Sequence, residues 1–255
     1  MKKSLLFLLP LALPAIAETD NEQELQDMSD PLAVYTQAGA GYTDKGLNIK
    51  VGQTYDTGSD TTLGMNVFEI KGFAGEALGW ADTADNSIDS LRYRNFGVDL
   101  TNGRGSQVDV NLAFTDGNGA QGSASYSFIQ ALPKMGPVML YPLAGAGVAF
   151  GETFDTTRDD AQALDRWDLH GTFYVVGMYS KIDVTDKIWL NYNPMFMDSI
   201  SGSDIHKDIF DNELLHEVSA SYQINGRTNI RYFANWNQDS NFADGDHRVE
   251  VNYQF

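Results

Sequence analysis

Apolar and polar residues alternate along most of this chain, in runs of roughly ten residues that are separated by turn residues. The clearest runs are QVDVNLAFT, SASYSF, KGLNIKVGQT and the final HRVEVNYQF. Because successive side chains of a β-strand point to opposite faces of a sheet, this period of two predicts strands with one apolar and one polar face. Eleven such runs, together with a weaker one at 33–42, predict twelve strands, whereas almost no segment shows the 3.6-residue period of a helix.

The connections between the runs fall into two alternating sets of lengths. One set is uniformly short and consists of DTGSD, TNGRGS, LPKMGP, KIDVTDK and INGR. The other set contains every long loop, at 72–90, 151–166, 198–212 and 237–247. A soluble sandwich also alternates, but its strands are usually only about five or six residues long. Longer strands with short turns at one end and long loops at the other are typical of an outer-membrane barrel.

We therefore predict an all-β fold. It is a transmembrane antiparallel up-and-down β-barrel over residues 33–255, with twelve strands. An alternative with ten strands arises if residues 33–56 lie partly outside the barrel. Such a barrel belongs in the outer membrane of a Gram-negative cell, in contact with outer-membrane lipid and lipopolysaccharide.

The sequence ends on a strand rather than on a polar tail. Val249, Val251, Tyr253 and Phe255 are apolar and alternate with polar residues up to the last position. This ending resembles the C-terminal signature of bacterial outer-membrane β-barrel proteins, and the resemblance covers only the last ten or so residues. It implies that these four residues are the signal read by the barrel-assembly machinery. In a closed barrel the last strand pairs with the first, so Phe255 is expected to be held in the periplasmic aromatic girdle.

The first seventeen residues have the pattern of a secretory signal peptide. Lys2 and Lys3 precede an apolar stretch, and Ala15-Ile16-Ala17 forms a small-x-small cleavage site, so residues 1–17 are expected to be removed on export. Cysteine is absent, so the exported fold must hold without disulfides. The acidic residues 18–32 lack strand alternation and are predicted to form a periplasmic N-terminal segment or a plug that enters the barrel.

The charge distribution argues for some partners and against others. The formal net charge is −18, which argues against nucleic acid because phosphate binding requires clusters of Lys and Arg. The four long loops together hold 16 acidic and 3 basic residues. We predict that they form a negative vestibule that concentrates cations at low salt, or else that they serve solubility and divalent-cation bridging to lipopolysaccharide. The vestibule candidates are Asp159, Asp160, Asp244 and Asp246.

An outward apolar face allows the inward face to be deduced from the alternation. The candidates for the lumen or a constriction are Lys50, Asp109, Asp168, His170, Tyr174, Trp189, Glu217, Arg231, Arg248 and Glu250. Around the INGR turn, pairing Gln223 with Arg227 places Ser219 opposite Arg231 and Glu217 on its diagonal. The Glu217–Arg231 pair is then either a structural ion pair or a charged constriction. The inward charges of both signs nearly cancel.

Part of the predicted inner wall is apolar rather than polar. Met178, Trp189, Met195 and Met197 join Tyr174 on the inward face of neighbouring strands. They could stack against a sugar or a nucleobase, but packing against each other or against an inserted segment is the favoured interpretation, because Met commonly fills gaps.

Two further patterns leave alternatives open. Four inward glycines, Gly39, Gly41, Gly145 and Gly147, lie on opposite strands and indicate either space for a segment in the lumen or sheet curvature. Arg92 precedes an apparent change of phase in its strand, so that it and Arg94 face either the lipid rim or, if a bulge intervenes near Asn95, the lumen.

A polar inward face with charges of both signs predicts a porin-like channel for passive diffusion of small hydrophilic solutes, weakly cation-favouring through its acidic loops. The alternative is a closed structural or adhesion barrel that works through its loops. A hydrolase or lipid-modifying enzyme is less well supported, because neither G-x-S-x-G nor H-E-x-x-H occurs. We predict no catalytic residue, no cofactor and no metal site.

Overall fold

The computed structural model describes residues 25–79, 86–115, 119–154 and 163–255, and thirteen β-strands and two short helices lie within them. The predicted signal peptide and the vestibule candidates Asp159 and Asp160 lie outside the described residues. The strands are β1 Gln37–Thr43, β2 Gly46–Asp56, β3 Thr62–Phe73, β4 Ser90–Asp99, β5 Arg104–Thr115, β6 Gly119–Gln130, β7 Val138–Phe154, β8 Ala163–Asp183, β9 Ile188–Tyr192, β10 Met195–Gly202, β11 Glu213–Asn225, β12 Thr228–Asn237 and β13 Asp246–Gln254. The helices are α1 Gly75–Leu78 and α2 Asp204–Ile209.

No helix in the described ranges has the length and the apolar character that crossing a membrane requires.

The sheet closes on itself with twelve barrel strands, as predicted. Apart from β9 and β10, each strand pairs antiparallel with its neighbour along the chain, and β1 also pairs with β13. Both β9 and β10 pair with β8 on one side and β11 on the other, so they are two halves of one barrel strand. The interruption falls at Asn193-Pro194, where proline has no backbone N–H to give to the ladder.

Closure also explains how the last residue is held. Gln254 is the partner of Gln37 in the β1–β13 ladder, and the backbone N–H of Phe255 donates to the carbonyl of Thr36 at 3.0 Å. The Tyr253 and Phe255 rings meet edge to face with centroids 5.1 Å apart. The C-terminal strand therefore has neighbours on both sides and no free edge.

Polar and apolar faces are reversed relative to a soluble barrel. Large apolar side chains are exposed on the outer face, among them Ile49, Val51, Phe68, Ile70, Tyr126, Phe128, Val176, Val249 and Val251. Polar side chains are buried on the inner face, among them Asn48, Glu69, Gln107, Ser127, Asn191, Ser219, Ser221, Asn229 and Glu250. This arrangement suits a barrel whose outer wall meets lipid.

The barrel has two distinct ends. The short-turn end carries residues 57–61, 100–103, 131–137, 184–187 and 226–227. The loop end carries residues 44–45, 74–79, 86–89, 203–212 and 238–245. Residues 25–36, which precede β1, run against the inner wall near the short-turn end. The described part of the predicted periplasmic segment therefore enters the barrel.

The predicted register of the β11–β12 hairpin is wrong by two residues. Gln223 pairs with Asn229, not with Arg227, so Arg231 lies opposite Ser221. The ladder shifts between Gln223 and Asn225, which leaves Ile224 as an extra residue before the turn. The bulge changes the pairing but preserves the face on which Arg231 lies, because a shift of two residues keeps the alternation in phase.

The predicted inner face of β8 is wrong over most of its length. Facing inward are Phe173, Val175, Tyr179 and Lys181, whereas Tyr174 and Met178 belong to the outward set. A register shift between Ala149 and Phe150 of β7 leaves His170 as an extra residue on β8. One inserted residue exchanges the two faces of a strand, so alternation assumed to be continuous across His170 assigns the wrong face.

Candidate functional site in the barrel lumen

A cavity of about 410 Å³ occupies the barrel interior. Its floor is formed by Met28, Ser29, Asp30, Pro31, Ala33 and Tyr35, and its upper rim includes Asp44, Lys45 and Asp246 at the loop end. The wall between them comes mainly from strands β1–β4 and β11–β13, with Tyr179 of β8, Asn191 of β9 and the adjoining Asn193. The cavity therefore extends from the loop end down to the N-terminal segment.

One carboxylate on β13 holds two cations. Glu250 is buried, and its Oε1 lies 2.5 Å from Nζ of Lys50, while its Oε2 lies 3.4 Å from Nε of Arg248. The side chains meet because Gly39, which faces Lys50 in the β1–β2 ladder, and Gly41, which faces Glu250 in the β1–β13 ladder, contribute no side chain of their own. A Cβ on Gly39 would lie 3.2 Å from Cε of Lys50.

A second carboxylate, on β3, holds two more cations. Glu69 is buried and forms ion pairs with Arg94 and, at 3.3 Å, with Lys71. Arg92 forms a two-pronged pair with Asp109, with Nε 2.9 Å from Oδ1. Both arginines therefore face the lumen, which settles the choice left open by the sequence.

No bulge is needed to turn these arginines inward. The β3–β4 ladder is regular, so Phe96 and Val98 face the lumen together with Arg92 and Arg94. The apparent change of phase has a simple origin: the lumen wall is charged toward the loop end and apolar toward the short-turn end. The inward face of β4 therefore changes from charged to apolar side chains along the strand, although the strand itself alternates regularly between its two faces.

Arg231 lies in a polar network without a carboxylate partner among the described residues. Its guanidinium donates to Ser221 Oγ at 3.0 Å, Ser219 Oγ at 3.1 Å and Asn191 Oδ1 at 3.0 Å. It also lies 4.7 Å from the ring centroid of Phe233, whose ring is approached by Arg248 at 4.2 Å as well.

The predicted Glu217–Arg231 ion pair does not form. Glu217 instead accepts a hydrogen bond from Asn193 Nδ2 at 2.8 Å. The two-residue shift in the hairpin register explains the difference. Arg231 pairs with Ser221, so Ser219 takes the diagonal position and Glu217 lies one step farther along the same face.

Between the rim and the floor, basic side chains outnumber carboxylates on the strands of the wall. The cations are Lys50, Lys71, Arg92, Arg94, Arg231 and Arg248, and the carboxylates are Glu69, Asp109, Glu217 and Glu250. The prediction omitted Lys71 and the two arginines of β4. Over the whole lining of the cavity, including Asp30, Asp44, Lys45, Asp89 and Asp246, basic and acidic residues are equal in number, with seven of each. Glu69 and Lys71 were missed because β3 carries Met65 and Val67 on the same inward face, which obscures its alternation.

Other predicted lumen candidates lie apart from this wall. Asp168 lies near the loop-end rim, where its side chain is 55% exposed and lies 3.4 Å from Arg166. His170 occupies the β8 bulge, Tyr174 faces outward, and Trp189 is buried on the inner face. Trp189 and the two inward methionines of β10 belong to the apolar part of the interior. Met195 and Met197 pack against a cluster that also contacts Leu32 of the N-terminal segment, so packing against an inserted segment describes this apolar wall.

The described part of the mouth is acidic: Asp44 and Asp246 line the rim together with Lys45, and Asp244 lies in the loop that precedes β13. Asp246 lies 3.8 Å from Lys45 Nζ. Burial raises the pKa of the Asp44 carboxyl, and the negative charge of Asp246 raises that pKa further. Close carboxylates of this kind are the electrostatic requirement for a mouth that attracts cations.

Comparison with known proteins places the fold. No protein-family profile matches the sequence, and a search among curated proteins finds no match. The COG4313 outer membrane channel from Pseudomonas putida F1 superimposes with a TM-score of 0.54 at 9% identity, covering 92% of this chain and 99% of that one. The NanC porin superimposes with a TM-score of 0.52 at 7% identity, covering 86% and 100%.

The chain has the fold of outer-membrane porins. At these identities the likeness concerns the fold alone, but both neighbours are named as a channel or a porin rather than as enzymes. Together with the closed barrel and its apolar outer face, it supports a location in the outer membrane.

Proposed function

We propose that the protein is a channel for passive diffusion of small hydrophilic solutes across the outer membrane. The observation that carries the proposal is the cavity of about 410 Å³ inside the closed barrel, lined by ionised and amide side chains and reaching the loop end. A solvated lumen with charges of both signs suits small polar solutes. An apolar solute would displace water from these groups without replacing the hydrogen bonds that the water makes.

We also propose a weak cation preference that depends on salt. The exposed mouth carboxylates attract cations, whereas the deeper wall has six cations against four carboxylates and favours anions. Exposed charges are screened beyond about 8 Å at physiological salt, but partly buried charges are screened much less. The mouth should therefore dominate only at low salt, and the wall should dominate at high salt.

Reversal potentials in planar bilayers test this proposal. Wild-type channels are expected to favour cations in dilute salt and to lose or reverse that preference as salt rises. The triple change Asp44→Asn, Asp244→Asn and Asp246→Asn should abolish the low-salt preference. Asp56→Asn with Asp60→Asn, which removes exposed charges at the short-turn end, is the control and should have a smaller effect. Anion preference at low salt in the wild type would contradict the role of the mouth.

A second function is favoured by one observation, the N-terminal segment that lies in the short-turn end of the lumen. A permanently occupied barrel would act through its loops, in adhesion or envelope integrity. Silence in bilayers at high protein load, from protein shown to be folded by its heat-dependent gel migration, would favour this function over the channel.

A further inference from the structure

We propose that residues 25–36 form a plug that closes the short-turn end of the barrel, and that the channel conducts fully only when this plug is displaced. The closing role stands on the contacts of the segment itself. The conducting role rests on the proposed channel function, and the experiment below separates the two.

Charged and polar contacts fix the plug to the β7–β8 wall. Asp27 Oδ2 lies 2.9 Å from Nζ of Lys181, a cation whose side chain is only 8% exposed. On the neighbouring strand, Tyr141 lies two residues beyond Met139, the ladder partner of Lys181. The buried Tyr141 donates its hydroxyl proton to Asp30 Oδ1 at 2.9 Å. Without the plug, both Lys181 and Tyr141 would lose these partners on the inner wall.

A second part of the wall, formed by β12 and β13, is contacted by the beginning of the plug. Gln254 on β13 accepts from the backbone N–H of Gln26 at 3.1 Å and donates to the carbonyl of the same residue at 3.0 Å. Met28 is buried, and its sulfur accepts from Asn229 Nδ2 at 3.6 Å. The plug therefore spans the lumen between the β7–β8 wall and the β12–β13 wall.

Apolar packing provides the second, independent argument. Leu32 packs against two separate apolar clusters of the inner wall, and Val34 is itself buried in one of them. The first cluster contains Met65, Val67 and Val98, and the second contains Ile129, Tyr141, Leu143 and Val175. An open aqueous pore would expose these side chains to water, so an apolar zone confined to one end of a polar lumen indicates that a segment covers it.

The plug should stay seated under mild acid. Burial raises the pKa of Asp27, but hydrogen bonds from Ser29 and the charge of Lys181 outweigh it, so the pKa lies below the ordinary value of 3.8. Because the pKa of Asp27 is lower in the folded barrel than in the unfolded chain, its contact stabilises the fold fully above the unfolded-state pKa. That contribution is lost only as pH falls through the lower pKa of the folded state. The other ionisable side chains at this contact are Asp30, which accepts from Tyr141, and Asp183, which also pairs with Lys181. We expect the same degree of plug closure at pH 7 and pH 5.

Cysteine reporters measure closure without requiring conduction, because the native chain contains no cysteine. Met28→Cys places a thiol at the buried anchor, and Leu25→Cys places one at the exposed start of the plug. The probe is a polymer-linked maleimide too large to enter the cavity. In the otherwise native, refolded barrel, the thiol at position 28 should react at least about tenfold more slowly than the thiol at position 25, as expected for a locally protected site.

A loosened plug is obtained with Leu32→Asn and Val34→Asn, which place amides in the two apolar clusters. Leu100→Asn, at an exposed residue of the short-turn end, is the matched control. The loosened barrel should label rapidly at position 28 and should open more often, or with higher conductance, than either the native or the control barrel.

The outcomes separate the plug from the channel. Equally fast labelling at positions 25 and 28 in the native background would overturn the plug, whatever the conductance. Fast labelling of the loosened barrel with unchanged openings would overturn the gating role. Silence of both barrels, with slow labelling in the native one and fast labelling in the loosened one, would overturn the channel and with it the gating role, and would leave the closing role supported.

Discussion

Replacing Glu250 by Gln is expected to destabilise the barrel and to shift its ion preference toward anions. Glu250 is the carboxylate that contacts both Lys50 and Arg248, and all three side chains are at most 16% exposed. Removing one partner of a buried ion pair costs about 3–5 kcal/mol. Because this wall borders a cavity open toward the loop end, we expect a loss of about 2–4 kcal/mol. Denaturant unfolding in detergent micelles, followed by tryptophan fluorescence, measures it.

Glu217→Gln is the matched control for that experiment. It removes the same charge from the same wall, but Glu217 accepts a hydrogen bond from Asn193 and has no ion pair among the described residues. An amide oxygen can still accept that bond, so the stability loss should stay below about 1 kcal/mol. Both variants should move the reversal potential toward anions. Equal stability losses would contradict the role assigned to Glu250 as the anion that joins two cations.

Gly145→Ala is expected to disrupt folding of the barrel. A Cβ at this position would overlap the backbone carbonyl oxygen of Tyr126 and lie 2.7 Å from the Cα of Ser127 on β6. These are backbone atoms, so the two strands would have to separate. Overpacking usually costs about 1–3 kcal/mol, and we expect at least the upper end of that range. The yield of folded barrel, seen as the heat-sensitive band in gels, measures the effect.

Gly97→Ala provides the comparison, because Gly97 also lies within a strand but has more room. The nearest heavy atom to a Cβ there is Ser106 Oγ at 3.3 Å, a hydroxyl that rotates readily. This variant should fold with nearly the native yield. If Gly145→Ala folded as well as Gly97→Ala, the close approach of β6 and β7 would not be a structural requirement.

The same geometry decides between the two explanations of the inward glycines. Gly145 and Gly147 of β7 lie against backbone atoms of β6, as expected where a strand needs close approach and curvature. Gly39 instead leaves room for the side chains of Asn252 and Lys50. A Cβ on any of these three glycines would meet barrel atoms first and not atoms of the plug.

Local pattern was sufficient to predict the fold. Strand alternation depends only on which face a side chain takes, and it correctly placed Lys50, Asp109, Arg231, Arg248 and Glu250 on the inner wall. The same pattern failed on β8, where the extra residue His170 exchanges the two faces. A bulge is formed between two strands, so the residues of β8 alone do not show it.

The sequence by itself determined that this chain forms a twelve-stranded barrel with an apolar exterior, because a period of two and the lengths of the turns are local properties. Only the tertiary structure decided which charges meet and what fills the lumen. Glu250 meets Lys50 only because the last strand closes on the first, and Leu32 reaches the clusters that contain Val98 and Val175 only after closure. The apolar residues that face the plug break the polar alternation of the inner face, so their role becomes visible only when the covering segment is in place.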